Sequence, residues 1–211
     1  MVINYLGGEC FKVSQGDLTL AFNPPSKDSS LKVARFGSDI VLTTLDHEDF
    51  NGIENAAFGE REPFAIKGPG EYEVKGVTVH GFATESNYGD SGPSINTVYS
   101  VLMEGMNVCF LGALGSVELP RDAQEELGDI DLLFVPVGAD GVLDAAAAYK
   151  LAVKLEPKAI IPMHYGDVGA KDALKAFLKE AGAEDTKPID KLTVKKKDLE
   201  GKQSEVIVLS V

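Results

Sequence analysis

Three side chains of this sequence have the types and settings from which a metal site is built. His47 and Asp49 stand two residues apart in Leu42-Thr-Thr-Leu-Asp-His-Glu-Asp-Phe50, where an apolar run over 39–43 passes into a polar turn. His164 follows a second apolar run, Lys158-Ala-Ile-Ile-Pro-Met163. Imidazole and carboxylate are the usual nitrogen and oxygen donors to zinc, and the ends of strands are where rigid scaffolds carry reactive groups. Other candidates are weaker. His80, in Val77-Thr-Val-His80, alternates with hydrophobes and reads as a strand-surface residue. Cys109 adjoins Phe110, so on a strand it faces the opposite side and serves as a small buried hydrophobe. Ser91-Gly-Pro-Ser94 lacks the Gly-x-Ser-x-Gly form of a nucleophile elbow and reads as a turn. Glu71 and Glu73 share one strand face and read as solvated charge.

The elements that must position these groups are strands first and helices later. Cys10 to Val13 and Leu18 to Phe22 form a hairpin signal around Gln15-Gly16-Asp17, closed by Pro24-Pro25. Strand-like runs follow at 64–67, 71–74 and 77–82, the last two joined by the tight Lys75-Gly76 pair. A further hairpin over 95–103 and 107–111 turns at Glu104-Gly105. Helices are expected over 120–127, opening on Pro120, over 144–156 with Asp144 as its cap, and over 171–181 with Gly182 closing it. The runs 131–137 and 158–163 are apolar enough for central strands covered on both faces. Residues 191–195 and 204–211 read as a last hairpin-like pair. No linker-like stretch interrupts the chain, so residues 1–211 are expected to form one domain.

Composition narrows the function classes. A formal net charge of −13 repels polyphosphates, and the only basic run, Lys195-Lys196-Lys197, reads as the solvated face of a late strand, so no nucleic-acid partner is expected. Two cysteines without Cys-x-x-Cys spacing suit a reducing compartment. No run approaches the roughly 18 apolar residues of a membrane helix, and the first residues lack a signal-peptide pattern. A soluble cytoplasmic protein without a membrane partner is the expectation.

The stretch 42–50 resembles the zinc-binding turn of the metallo-β-lactamase fold, His-x-His-x-Asp-His at the end of a buried strand. Laid on it, Leu45 takes the place of the first His, His47 of the second, Asp49 of the Asp and Phe50 of the last His. Gly68-Pro-Gly-Glu-Tyr-Glu-Val-Lys-Gly76 and Asn96-Thr-Val-Tyr99 resemble the central hairpin and next strand of a branch that includes ascorbate-6-phosphate lactonase and Zn-dependent hydrolases. Phe110-Leu-Gly-Ala-Leu-Gly115 is similar to that branch's His-Leu-Gly-Asp-Leu-Gly block, and Val135-Pro-Val-Gly138 and Ile161-Pro-Met-His-Tyr-Gly166 agree closely with it. The resemblance implies an α/β four-layer αββα sandwich, with mixed sheets inside and helices outside. It also implies two zincs ~3.5–4 Å apart sharing a hydroxide that attacks a carbonyl or phosphoryl centre. On that pattern His47 belongs to the first metal, and Asp49 and His164 belong to the second. Ligand positions are lost at Leu45, Phe50 and Phe110, and the bridging aspartate is replaced by Ala113. Asn23 stands where many relatives carry an aspartate that supports the turn.

Two readings follow. In the first the old site has filled in, no metal or only weakly bound zinc is held, and the role is cryptic binding or scaffolding, toward an unknown small molecule or by self-association. Leu45, Phe50 and Phe110 should then touch, with His47 and His164 to one side and Asp49 orienting an imidazole. In the second, His47, Asp49 and His164 hold one metal, completed by Glu48, Glu85 or water. The protein then hydrolyses a small ester, lactone or phosphate with Asp49 as a catalytic group.

Overall fold

The computed structural model describes residues 1–59, 62–89 and 92–211, which leaves Ser91 outside the described residues. Two sheets lie face to face. The first takes β1 (Val2–Tyr5), β2 (Phe11–Gln15), β3 (Leu18–Phe22), β4 (Ile40–Leu42) and β5 (Phe64–Ile66). The second takes β6 (Gly70–Val74), β7 (Val77–Ser86), β8 (Ser94–Met103), β9 (Met106–Phe110), β10 (Leu132–Pro136) and β11 (Ala159–Met163). Helices α1 (Arg121–Glu126), α2 (Ala145–Leu155) and α3 (Ala173–Glu180) fall in the second half, as their caps foretell: the Asp144 carboxylate accepts from the Ala147 N–H at 2.8 Å. Lys75-Gly76 and Glu104-Gly105 both take positive φ, the conformation that closes a two-residue hairpin in step with strand twist.

The final strands part company. β12 (Leu192–Thr193) pairs antiparallel with β1, whereas β13 (Glu205–Val206) pairs parallel with β11. The expected closing hairpin is therefore corrected: each segment edges a different sheet. Strand orders are β12-β1-β2-β3-β4-β5 and β13-β11-β10-β9-β8-β7-β6. The Lys195–Lys197 run is not a strand face either, because Lys196 and Lys197 lie in a 3₁₀ turn and Lys196 reaches Asp131 at 2.8 Å.

Alternation along the strands sorts the core into two layers. Phe11, Phe22, Phe110 and Phe134 point between the sheets, with Phe22 stacked on Phe110 at 4.6 Å. Cys109, Leu133, Val135 and Ile160 point outward, where Ala148, Leu151, Ala152 and Phe177 of the helices cover them. Cys109 is accordingly buried on the side opposite Phe110, as expected. The outer layer on the first sheet is thin: Phe36 and the 3₁₀ turn at Ile53–Asn55 pack on Ala21 and Val41. The architecture is an α/β sandwich of mixed sheets. No helix among the described residues is long and apolar enough to cross a membrane.

β3 and β4 run parallel, as do β9, β10 and β11. Their carboxyl ends carry Asn23, Thr44, Leu111, Val137 and His164, the end where open α/β sheets bind ligands.

Candidate functional site

The floor of this end is a buried polar network. His164 Nδ1 lies 2.7 Å from Glu9 Oε1, and both side chains are wholly buried. Asn23 Nδ2 donates to the other Glu9 oxygen at 2.9 Å and to Thr44 Oγ1 at 2.8 Å, while the Thr44 N–H donates to Asn23 Oδ1 at 2.8 Å. Two strand ends are bent to make this possible. Asn23 and His164 take φ of 43° and 62°, a left-handed backbone that non-glycine residues adopt at a cost of about 1–3 kcal/mol. The His164 N–H donates to Gly8 O at 2.8 Å, and Tyr5 Oη donates to the same carbonyl at 2.9 Å. The Glu9 loop is thus pinned to the His164 turn. In the tautomer that donates from Nδ1 to Glu9, Nε2 is buried and has no partner among the described residues.

Above the floor stands Asp49. Its carboxylate accepts from the Ser29 hydroxyl and, at 2.7 Å, from Tyr88 Oη. His47 Nδ1 accepts from the Asp49 backbone N–H at 3.2 Å and lies 3.6 Å from the Asp49 carboxylate, too far for a bond. Asp49 thus holds the His47 imidazole through its backbone N–H, and the expected bond from its carboxylate is corrected. Glu9 holds His164, and Asp49 holds two hydroxyls.

Tyr88 occupies the centre. Its ring centroid lies 5.0 Å from those of His47 and Phe50 and 5.1 Å from that of His164. Burial, then the hydrogen bond to Asp49, then the charges of Asp49, Glu9 and Asp140 push the Tyr88 phenol well above its usual pKa, so it remains a neutral donor. Leu45, Phe50, Ala113 and Val142 form a separate apolar cluster beside it. Phe110 is not among them: it belongs to the inter-sheet core, stacked on Phe22, because its strand position faces the other sheet. The expected contact of Phe110 with Leu45 and Phe50 is corrected on that ground. Glu48 and Glu85 are exposed, as are Glu71 and Glu73, and His80 sits on β7, 3.5 Å from Glu126.

A depression of about 240 Å³ opens over this centre, lined by His47, Asn87, Tyr88, Gly89, Asp140 and Gly141. Its rim is strained: Ala139, Asp140 and Gly141 all take positive φ. Gly141 is required there, since a Cβ would meet Asn87 O at 2.5 Å.

Few atoms of this arrangement are left free for a metal. The Nε2 of His164 is buried and unbonded, with a carboxylate behind the ring as around many zinc ligands. Of the other donors, Asp49 is held by Ser29 and Tyr88 and His47 Nδ1 by a backbone N–H, which leaves Nε2 of the partly exposed His47 ring. Among the described residues no three His, Cys, Asp or Glu side chains gather as a metal would need. A complete ligand set does not fit.

Glu9 and Tyr88 escaped sequence reasoning. Glu9 left a faint trace, a charged residue between Gly7-Gly8 and the apolar Cys10-Phe11, while Tyr88 left none.

Sandwich and strand-end site together define a metallo-β-lactamase-type protein. The sequence profile described as the β-lactamase superfamily domain matches residues 2–164, and the chain belongs to that family. It is 27% identical over 192 residues to a UPF0173 metal-dependent hydrolase of Natranaerobius thermophilus, covering 78% of this chain and 83% of that protein. A metallo-β-lactamase superfamily structure from Thermotoga maritima, bearing the name of a Zn-dependent hydrolase, superposes with TM-score 0.71 at 26% identity over 99% of this chain and 97% of that one. Igni18 of Ignicoccus hospitalis, described as a metallo hydrolase, shares the fold at TM-score 0.64 and 18% identity, covering 99% and 94%.

Proposed function

We propose that this chain is a binding protein on the metal-dependent hydrolase scaffold, one in which the metal pocket has become a polar and aromatic pocket for a small molecule and the binuclear hydrolysis of such scaffolds has been given up. The observation that carries this reading is the position of Tyr88. Its ring stands between His47, Phe50 and His164, and its hydroxyl occupies the Asp49 carboxylate. The apolar residues at Leu45, Phe50 and Ala113 support it, since they bury one another where imidazoles and a carboxylate would otherwise converge. The strained backbone at Asn23, Ala139, Asp140 and His164 is further support, because such strain concentrates at functional sites. In this reading Glu9 holds His164, Asp49 and His47 present polar atoms at the pocket wall, and Phe50 supplies an apolar side.

The second reading is a mononuclear hydrolase of a small ester, lactone or phosphate, which the free Nε2 of His164 favours. Elemental analysis of protein expressed with added zinc and purified without chelator separates the two. The binding reading expects well under about 0.1 equivalent of zinc, iron or manganese after dialysis. About one equivalent, lost in His164→Ala, overturns it in favour of the hydrolase.

A further inference from the structure

We infer that the site takes, through the depression over Tyr88, a small organic cation, a primary ammonium or guanidinium group, which displaces the Tyr88 hydroxyl from Asp49 and offers N–H donors to Asp49 and to His164 Nε2. The inference rests on the metal-free reading above and adds the class of ligand.

The first observation is charge. Asp49 and Glu9 are buried and Asp140 stands on the rim of the depression. Among the described residues no lysine or arginine pairs with any of the three. Buried carboxylates are ordinarily matched by a cation or a metal. Here Asp49 is met only by the hydroxyls of Ser29 and Tyr88, with the His47 ring beyond hydrogen-bond distance.

The second observation is independent of charge. Nε2 of His164 is wholly buried and has no partner among the described residues, although nearly all such atoms in proteins are bonded. In the tautomer that carries its ring proton on Nδ1, facing Glu9, Nε2 presents a lone pair and what it lacks is a donor. The ring of Tyr88, 5.1 Å from the imidazole centroid, cannot supply one there, because its hydroxyl is directed to Asp49. Tyr88 therefore lies against both acceptors but bonds only Asp49, and His164 Nε2 is left without a donor among the described residues. A ligand of similar reach that carries several N–H groups and a positive charge would satisfy both.

Exchange favours such a ligand. The Tyr88–Asp49 bond is neutral donor to carboxylate, and a charge-assisted ammonium–carboxylate bond is roughly twice as strong. The phenol is held neutral by its burial and by the surrounding carboxylates, so it stays a donor and never becomes a competing anion. The net charge of −13 also favours approach of a cation. The depression over His47, Tyr88 and Asp140 is the way in.

The chain's three histidines make the test direct, since His47 and His164 lie at the site and His80 lies beside Glu126 on β7. Protein labelled with ¹⁵N in its histidine rings is titrated with butylammonium chloride, and with butanol and sodium butyrate as neutral and anionic matches, in about 0.15 M salt. Butylammonium alone should shift the His164 and His47 signals saturably, with a dissociation constant of about 1 mM. His80 should stay in place. Asp49→Asn and, on the exposed rim, Asp140→Asn should each weaken binding about tenfold, and Tyr88→Ala should tighten it about tenfold. No saturable shift by about 10 mM butylammonium overturns the inference. So does a parallel shift at His80, or an affinity that neither aspartate substitution changes. Zinc added to the same sample tells the two failures apart. A stoichiometric zinc-induced shift at His164 overturns the metal-free reading beneath the inference, whereas silence toward both zinc and butylammonium overturns the cation inference alone.

Discussion

Carboxylates are buried at both ends of the parallel strands, one at the amino ends and two at the carboxyl ends, and the two ends are treated differently. At the amino ends of β9, β10 and β11, Asp131 accepts from Lys158 Nζ at 2.6 Å, Lys196 Nζ at 2.8 Å and the Asn107 N–H at 2.9 Å. At the carboxyl ends, Glu9 meets an imidazole and an amide, and Asp49 meets two hydroxyls. Asp131 is matched by two permanent cations whose side chains reach solvent, an arrangement that only holds the fold together. Glu9 and Asp49 are matched by neutral or titratable donors and by no lysine or arginine among the described residues, beside a nitrogen that none of those residues bonds. Full compensation marks the structural end, and incomplete compensation marks the end that has something left to bind.

Removing each carboxylate tests this contrast. The largest effect is expected from Glu9→Ala, which strands His164 Nδ1 and Asn23 Nδ2 in a dry interior and opens a void. Urea denaturation should register a loss of about 4 kcal/mol. A loss under about 1 kcal/mol would mean that water reaches the floor. Asp131→Ala should cost less, about 2 kcal/mol, because Lys158 and Lys196 are 29% and 50% exposed and can rehydrate.

The pH dependence of that second effect has a definite sign. Burial alone would raise the Asp131 pKa, but hydrogen bonds from Lys158 and Lys196 outweigh it and leave the carboxyl below its ordinary value. A lowered folded pKa contributes stability that is complete above the unfolded value, about 4, and is lost as pH falls below it. The difference between wild type and Asp131→Ala should therefore shrink between about pH 4 and pH 2, as followed by circular dichroism. A difference that grows on acidification would refute the assignment. The smallest effect is expected from Tyr88→Phe, which removes one hydroxyl and should cost about 1 kcal/mol in thermal denaturation. A stabilised variant would show instead that the hydroxyl strains Asp49.

Much of the fold was legible because its signals are local. Alternation, Gly-containing hairpin turns and the Asp144 cap each constrain a few neighbouring residues, and β7 to β9 and α2 lie where those signals put them. The closing pair misled because β12 and β13 find partners far away in sequence. The site was legible in position but less so in wiring. The residues around Asp49, Phe50 and His164 do gather, yet Glu9 and Tyr88 come from a glycine loop and a strand end with no motif of their own. Phe110 misled for a geometric reason. A single step along β9 decides whether a side chain faces the other sheet or the helices, and its stack on Phe22 commits it to the inter-sheet core.

The parting of β12 and β13 bears on how the molecule is made. The outer edge of β1 gains its ladder partner only when residue 193 is available, through Val2↔Thr193, and β11 gains its own only at residue 205. During synthesis both sheets therefore leave the ribosome with one edge open, the situation in which strands pair with the wrong chain. The floor of the site also needs a distant partner, since Glu9 waits for His164. Such long-range closure belongs to slow folding, and both sheets are expected to close only once residues 193 and 205 are available.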